Sequence, residues 1–323
     1  MQYRQVGNSG LRISAVSIGG WLTIGATVDY GLSRRLLHTA YDGGVNFIDL
    51  ADVYATGEAE KATATFLKEF KGVDGRERSD LVISSKVFWP MGDGPNDRGL
   101  SRKHIVESCD KSLKRLGTDY LDIYFCHRFD PETPVEETVR AMDRLVRCGK
   151  VLYWGTSCWT AEQLTDAVAI CDRLGLCRPI VEQPRYNLID RDIERDGVRD
   201  AAQELGMGLV VWSPLAQGML SGKYNGGVPN DSRGGTSAWL DRVITDENVQ
   251  KVRELSSLAA ERGTTAAALS LAWLTHQPGI TSVITGATKV EQVEANLAAA
   301  QLELDATTLE AVAALFPHPA ETE

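Results

Sequence analysis

Short β-branched or aromatic runs alternate with helical stretches along almost the whole chain. "AVSIG" precedes a helical stretch from Ser33 to Asp42, "VNFIDL" precedes Glu58 to Phe70, "LVISSK" precedes Ser101 to Leu116, and "LDIYFCH" precedes Pro134 to Cys148. The rhythm continues with "VLYWGTS" before Ala161 to Leu174 and "IVEQ" before Asp196 to Leu205. "LVVWS" then precedes an insertion and helices from about Asp246 to His276, and "TSVITG" precedes Lys289 to Ala300. Strands followed by crossover helices pack as a parallel sheet. Eight such units predict an α/β protein with a closed (β/α)8 TIM barrel, an open doubly wound sheet being the alternative. "YRQVGNSGLRIS" predicts an N-terminal β-hairpin around Gly7–Gly10, and Asp305 to Leu315 a C-terminal extra helix.

No composition shift or Ser/Pro linker divides the chain, so residues 1–323 read as one domain. Pro214 to Trp239 is too long and too rich in glycine and polar residues for a mere connection, which marks it as functional. The net charge of -10 and pI near 5.1 argue against a broad basic surface for nucleic acid or anionic membrane. The six cysteines, Cys109, Cys126, Cys148, Cys158, Cys171 and Cys177, form no C-x-x-C pair and read as reduced thiols of a cytoplasmic protein. Neither a signal-peptide pattern nor an apolar run of spanning length is present, so membrane insertion is not expected.

The last residues of the predicted strands form a second pattern: Asp49, Lys86, His127, Ser157, Gln183, Trp212 with Ser213, and Gly286. In a parallel barrel all these ends share the face on which active sites are built. Taken singly, each has a structural reading, as a solvated loop charge, a hydrogen-bonded histidine or a group satisfying the backbone. Taken together they converge. A lysine that closes a core strand needs a partner, and Asp49 on the neighbouring strand can supply one. Tyr54, in "ADVYATGE", lies within reach of the same mouth. A cation beside a tyrosine favours the phenolate, so Tyr54 is expected below its usual pKa near 10 and able to donate a proton near neutral pH.

Other chemistries fit less well. G-x-G-x-x-G, G-x-x-x-x-G-K-[ST] and H-E-x-x-H are absent, and "GTSCW" lacks the second glycine of a nucleophile elbow. No second histidine ends a strand to join His127 and Asp49, so no metal is expected. A barrel aldolase with a Schiff base on Lys86 is conceivable, but Tyr54 and His127 beside it argue against that.

Asp49 and Tyr54 in "FIDLADVY", Lys86 in "SSKVFWP" and His127 in "YFCHRFDP" resemble the catalytic tetrad of the aldo-keto reductases, (β/α)8 barrels that use NADP(H). "RGLSRKHI", "TPVEETVRAM", "YWGTS" and "WSPLAQGMLSGKY" are similar to the branch containing voltage-gated potassium channel β subunits and bacterial glyceraldehyde-3-phosphate reductases. The resemblance implies that Tyr54 is the general acid, that Asp49 and Lys86 tune it, and that His127 orients the substrate carbonyl. It implies that the nicotinamide stacks on Trp212, with Ser157, Cys158 and Gln183 at its carboxamide and Gly20 and Trp21 lining the mouth. Ser213, Pro214, Leu215, Ala216, Gln217 and Lys223 would follow the pyrophosphate, and Arg233 would meet the ribose phosphate. Gly286, Thr288, Gln292 and Asn296 would close the site at a helix N-terminus, where anions are favoured.

Several positions depart from that pattern. Ala55 replaces the family's glycine after the tyrosine, Ala295 a glutamate of the adenine segment, and Cys158 and Asp231 an arginine and a tyrosine of the channel subunits. The expected activity is NADPH-dependent reduction of an aldehyde or ketone. The alternative is a cofactor-sensing regulatory subunit with slow turnover, against which His127 speaks because channel subunits carry Asn there. Trp21, Tyr54, Phe88, Trp89 and Met219 predict an aromatic, size-limited substrate pocket, and Arg128 a receiver for a negative substrate group or a structural ion-pair residue. Small aldehydes, methylglyoxal, a triose phosphate and a xenobiotic ketone all remain open as the carbonyl substrate. Homo-oligomers are common in this branch.

Overall fold

The computed structural model describes residues 1–227, 240 and 242–317. Two short strands, β1 (Tyr3–Gln5) and β2 (Arg12–Ser14), form the antiparallel hairpin. Eight further strands form the barrel: β3 (Val16–Gly19), β4 (Phe47–Asp49), β5 (Val82–Val87), β6 (Leu121–Cys126), β7 (Val151–Thr156), β8 (Val181–Glu182), β9 (Gly208–Val211) and β10 (Ile280–Thr285). They pair in parallel in chain order, and β10 closes the barrel on β3 through Val283 and Val16. The fold is the predicted (β/α)8 barrel. Among the described residues no helix is long and apolar enough to cross a membrane.

Two stretches of the helical layer show how the chain divides its helices. The helix expected over Asp196 to Leu205 spans Val198–Glu204, and a short helix not expected from the pattern, Asp192–Arg195, precedes it; Gly197, whose φ of 72° lies in the left-handed region where glycine carries no Cβ penalty, separates the two. Asp246 to His276 divides into Asp246–Glu261 and Ala266–Thr275, and Thr265 caps the second by accepting from the Ala268 N–H. Helices that leave the barrel mouth are capped likewise. Ser101 accepts from His104 N–H at 3.2 Å, and Thr160 and Gln163 form a reciprocal capping box.

Side chains along a strand alternate between faces, and here the alternation separates two apolar layers. Ile48, Ile83, Tyr124 and Cys126 face outward into the layer beneath the helices, while Phe47, Val82, Ile123, Phe125, Val181, Val210 and Ile284 fill the barrel interior. Two to four residues further along, that inward face turns polar: Val82 leads to Ser84 and Lys86, Phe125 to His127, Val181 to Gln183. A packed lower interior therefore carries the functional side chains at its upper end. Gly155 keeps this interior closed, because a Cβ there would meet the Val181 carbonyl oxygen at 2.6 Å and the Phe125 ring at 2.9 Å. The hairpin plugs the opposite end with Val6 and Ile13, both fully buried, and is tied to the barrel by Arg4 Nη1 donating to the Ile280 carbonyl at 3.0 Å.

Candidate active site

Asp49 sits at the end of β4 in register with Ser84 of β5, and Lys86 lies one inward step beyond Ser84. The Lys86 ammonium is fully buried and donates to Asp49 Oδ2 at 2.7 Å, to the Leu50 carbonyl at 2.8 Å and to Tyr54 Oη at 3.0 Å. An ammonium has three hydrogens to place, and three acceptors are present. Burial lowers the Lys86 pKa, while the Asp49 charge and hydrogen bond act in the opposite direction. Oδ1 of Asp49 accepts from Ser84 Oγ and from Gln183 Nε2, each at 2.9 Å, so both carboxylate oxygens are engaged. A buried ion pair survives when its remaining lone pairs are satisfied in this way.

Tyr54 opens a tight turn, Tyr54–Gly57, in which Ala55 and Thr56 take left-handed φ values of 48° and 54°. Such backbone persists only where the surroundings over-determine it. Here it swings the phenol back over β5, against Lys86. Since the ammonium donates to the phenolic oxygen, the hydrogen of Tyr54 itself must point away from Lys86. The expected lowering of the Tyr54 pKa is not what the structure gives. Burial pushes the phenol well above its ordinary value near 10, and the Asp49 charge adds to the rise while Arg128 opposes it. Desolvation penalises the phenolate, and the ammonium that would favour it has its charge balanced by Asp49. Tyr54 is consequently protonated at neutral pH, the state that a proton donor requires.

His127 lies edge-on to Tyr54, with ring centroids 5.8 Å apart, and its Nδ1 is buried without a hydrogen-bond partner among the described residues. Burial, reinforced by the charges of Lys86 and Arg128, holds its pKa well below the usual histidine range. A neutral imidazole keeps one N–H to donate.

The remaining strand ends complete the mouth. Ser157 Oγ donates to the Gln183 carbonyl at 2.8 Å, and the Trp21 ring meets Trp212 edge-on at 6.1 Å. Gly20 donates its N–H to the Asp49 carbonyl at 2.9 Å, and a Cβ there would strike Leu50 at 2.8 Å. Beyond β9, Ser213, Ala216, Gln217 and Gly218 all take positive φ, flanking Pro214 and Leu215, and the Lys223 side chain folds back over Gly218. Such alternation of handedness forms concave backbone nests that suit anions. Thr288 donates its N–H to Gln292 Oε1 at 2.8 Å, two residues beyond Gly286, and Asn296 lies one turn further along the helix Val290–Ala299. Cys158 is exposed at this rim with φ 56°. Phe88 and Trp89 contact each other edge-on, and Trp89 reaches to 6.4 Å from the His127 ring. Met219 does not line the pocket, because it is fully buried in the layer beneath the helices. Arg233 and Asp231 lie outside the described residues.

A model of the Aldo/keto reductase family matches residues 15–316. The chain belongs to the aldo/keto reductase family. It is 46% identical over 303 residues to proteins named "Probable voltage-gated potassium channel subunit beta" from Arabidopsis thaliana and from Oryza sativa subsp. japonica, covering 93% of this chain and 91% of each relative. Oxidoreductase chemistry with a nicotinamide cofactor is the family's general property. The residues at the mouth fit such a group: an indole beside a Ser–Gln pair for the ring end, and a loop of left-handed residues with a lysine for the phosphates.

Two acidic residues of this aldo/keto reductase escape a reading of strand ends alone. Glu182 is fully buried directly before Gln183 and accepts from Thr156 Oγ1 at 2.5 Å and from the Trp159 N–H at 3.3 Å, bracketing Ser157 and Cys158. Burial pushes its carboxyl up to about 7, those hydrogen bonds opposing the rise. Asp52, between Asp49 and Tyr54, is fully buried, and burial followed by the charge of Glu60 pushes it up to about 8. Glu60 itself accepts from Ser85 Oγ at 2.7 Å and pairs with Arg115 behind the barrel wall. The signal for both was present, as an acid adjoining a candidate residue, but acids in such positions are commonly solvated.

Proposed function

We propose that the protein reduces an aldehyde or ketone to an alcohol with NADPH, and that Tyr54 donates the proton. The observation that carries this reading is the threefold engagement of Lys86 with Asp49, the Leu50 carbonyl and Tyr54 at the upper end of the barrel interior. In it, the phenol is held protonated with its hydrogen directed away from Lys86, and the neutral His127 ring beside it donates to the same carbonyl oxygen. Charge that develops on that oxygen is met by preorganised donors in a site of low dielectric, where each is worth more than in water. Hydride transfer is the chemistry a nicotinamide would supply when bound. Trp212, Ser157 and Gln183 would hold its ring, the loop Ser213–Lys223 its phosphates, and Thr288, Gln292 and Asn296 the far end. The choice of NADPH over NADH rests on Arg233.

The names of the plant relatives support a second reading, a nucleotide-sensing subunit of a channel in a cytoplasmic setting. Under it the nucleotide would bind but turn over slowly. Consumption of NADPH by the purified protein with a panel of aldehydes, together with identification of the alcohol formed, tests the first reading. No aldehyde-dependent consumption by a protein that binds NADPH, joined to recovery of the protein with a membrane channel, would leave the second.

A further inference from the structure

Arg128 is the charged group at the mouth whose role the reaction above leaves open. Its Nη1 donates to the His127 carbonyl and lies 3.5 Å from Ser157 Oγ, while Cζ sits 5.7 Å from the centre of the Trp89 ring. Among the described residues no carboxylate lies within ion-pairing distance of it. The acids nearby are occupied. Asp49 serves Lys86, Ser84 and Gln183; Asp130 accepts from Leu100 N–H, Glu132 N–H and Thr133 Oγ1; Glu182 accepts from Thr156 and Trp159. Arg185, the arginine that lies 6.0 Å from the Trp212 ring on the other side, is paired with Asp190.

We propose that the substrate is an aromatic aldehyde bearing a carboxylate, and that Arg128 receives the carboxylate while the carbonyl lies between Tyr54 and His127. This rests on the reduction reading above. A guanidinium presents five donors in a planar fork that matches a carboxylate, and the contacts to His127 and Ser157 use one edge of the Arg128 fork. Partial burial excludes competing water and raises the worth of a charge-assisted pair. The surroundings select a flat apolar body to span the gap. Trp89, whose ring meets both the Arg128 guanidinium and the His127 ring, is 39% exposed, a display of indole that a planar ring would cover.

The test compares kcat/KM for 4-carboxybenzaldehyde and 4-methylbenzaldehyde with NADPH in wild type, Arg128→Met and Arg128→Lys. Calorimetric binding of 4-(hydroxymethyl)benzoate and 4-methylbenzyl alcohol to the NADP-loaded protein gives a readout that needs no turnover. The expected result is at least a tenfold preference for the carboxylate in wild type, in rate and in binding. Arg128→Met should lose it. Arg128→Lys, which keeps the charge without the fork, should fall between. If 4-methylbenzaldehyde is reduced but the carboxylate brings no preference, or the preference survives Arg128→Met, the substrate assignment is overturned and carbonyl reduction stands. A tenfold weaker grip on NADPH in Arg128→Met with an unchanged aldehyde ratio would give Arg128 to the cofactor instead and overturn the proposal. Should neither aldehyde be reduced by a protein that binds NADPH, the substrate assignment is overturned, and the wider aldehyde panel decides whether carbonyl reduction stands.

Discussion

The Lys86 ammonium donates to the phenolic oxygen of Tyr54 across 3.0 Å, and its other two hydrogens go to Asp49 and the Leu50 carbonyl. This relationship fixes which way the Tyr54 hydrogen can point. It also makes the stability of the upper barrel depend on a charge pair with no exposure to water, the Lys86 side chain being 0% and the Asp49 side chain 3% exposed.

Lys86→Met therefore strands the Asp49 carboxylate in the interior. Removing one partner of a buried pair costs about 3–5 kcal/mol, whereas the double variant Asp49→Asn with Lys86→Met should recover much of that loss. Urea unfolding of Lys86→Met, Asp49→Asn and the double variant measures the coupling. Simple additivity of the two single changes would show that the pair is not the source of the effect.

The contribution of Asp52 to stability should fall as pH rises through the range from about 4 to about 8, whereas that of His127, held well below the usual histidine range, grows as pH rises toward 6.5. Burial raises the folded pKa of Asp52 from its ordinary carboxylate range to about 8, so in this window the unfolded chain releases a proton that the folded chain retains. The linkage of this group is then negative in sign: its contribution is full below pH 4, erodes through the window and levels off above it. Glu182, raised to about 7, contributes in the same direction. Asp52→Asn removes one titrating site, and its melting temperature relative to wild type should climb between pH 5 and pH 8. A constant difference across that range would contradict the assignment.

Glu182→Gln should weaken cofactor binding more than it slows the chemical step. The carboxylate accepts from Thr156 on one side and from the Trp159 N–H on the other, and an amide has one acceptor oxygen where the carboxylate has two. The loop carrying Ser157 loses one tether. A loss of about 1.4 kcal/mol corresponds to a tenfold rise in the NADPH dissociation constant. Titration followed by tryptophan fluorescence reads it, and a change below twofold would mean that Glu182 does not hold the loop.

Gly155→Ala should destabilise the fold by about 1–3 kcal/mol, the usual range for overpacking. The added Cβ would approach the Val181 carbonyl oxygen to 2.6 Å, and the backbone there cannot swing aside as a side chain can. Gly10→Ala is the control, with nothing within 4 Å of its added Cβ. Thermal unfolding of both distinguishes interior crowding from a general glycine effect.

Much of this arrangement was legible in the sequence because the strands write their inward face in steps of two. Val82, Ser84 and Lys86 share that face, as do Phe125 and His127, so a polar residue closing an apolar strand already points to the mouth. The alternation of strands and helices gave the barrel for the same reason. What the sequence could not carry was depth. The sequence suggests that Lys86 acidifies Tyr54, yet the pKa of Tyr54 is governed first by burial, which residue type does not show, and then by the charge of Asp49. An acid beside a strand end is ordinarily solvated, whereas Glu182 and Asp52 are both enclosed here. The four-residue helix Asp192–Arg195 is too short to show an apolar period, and it ends ahead of the left-handed Gly197.

The account turns on the proton of Tyr54, and single-turnover reduction of 4-methylbenzaldehyde by the NADPH-loaded protein addresses it most directly. Proton transfer by a positioned side chain contributes roughly 100- to 10,000-fold, so Tyr54→Phe should slow the chemical step by at least about a hundredfold while still binding NADPH. Equal single-turnover rates in Tyr54→Phe and wild type would contradict the account outright.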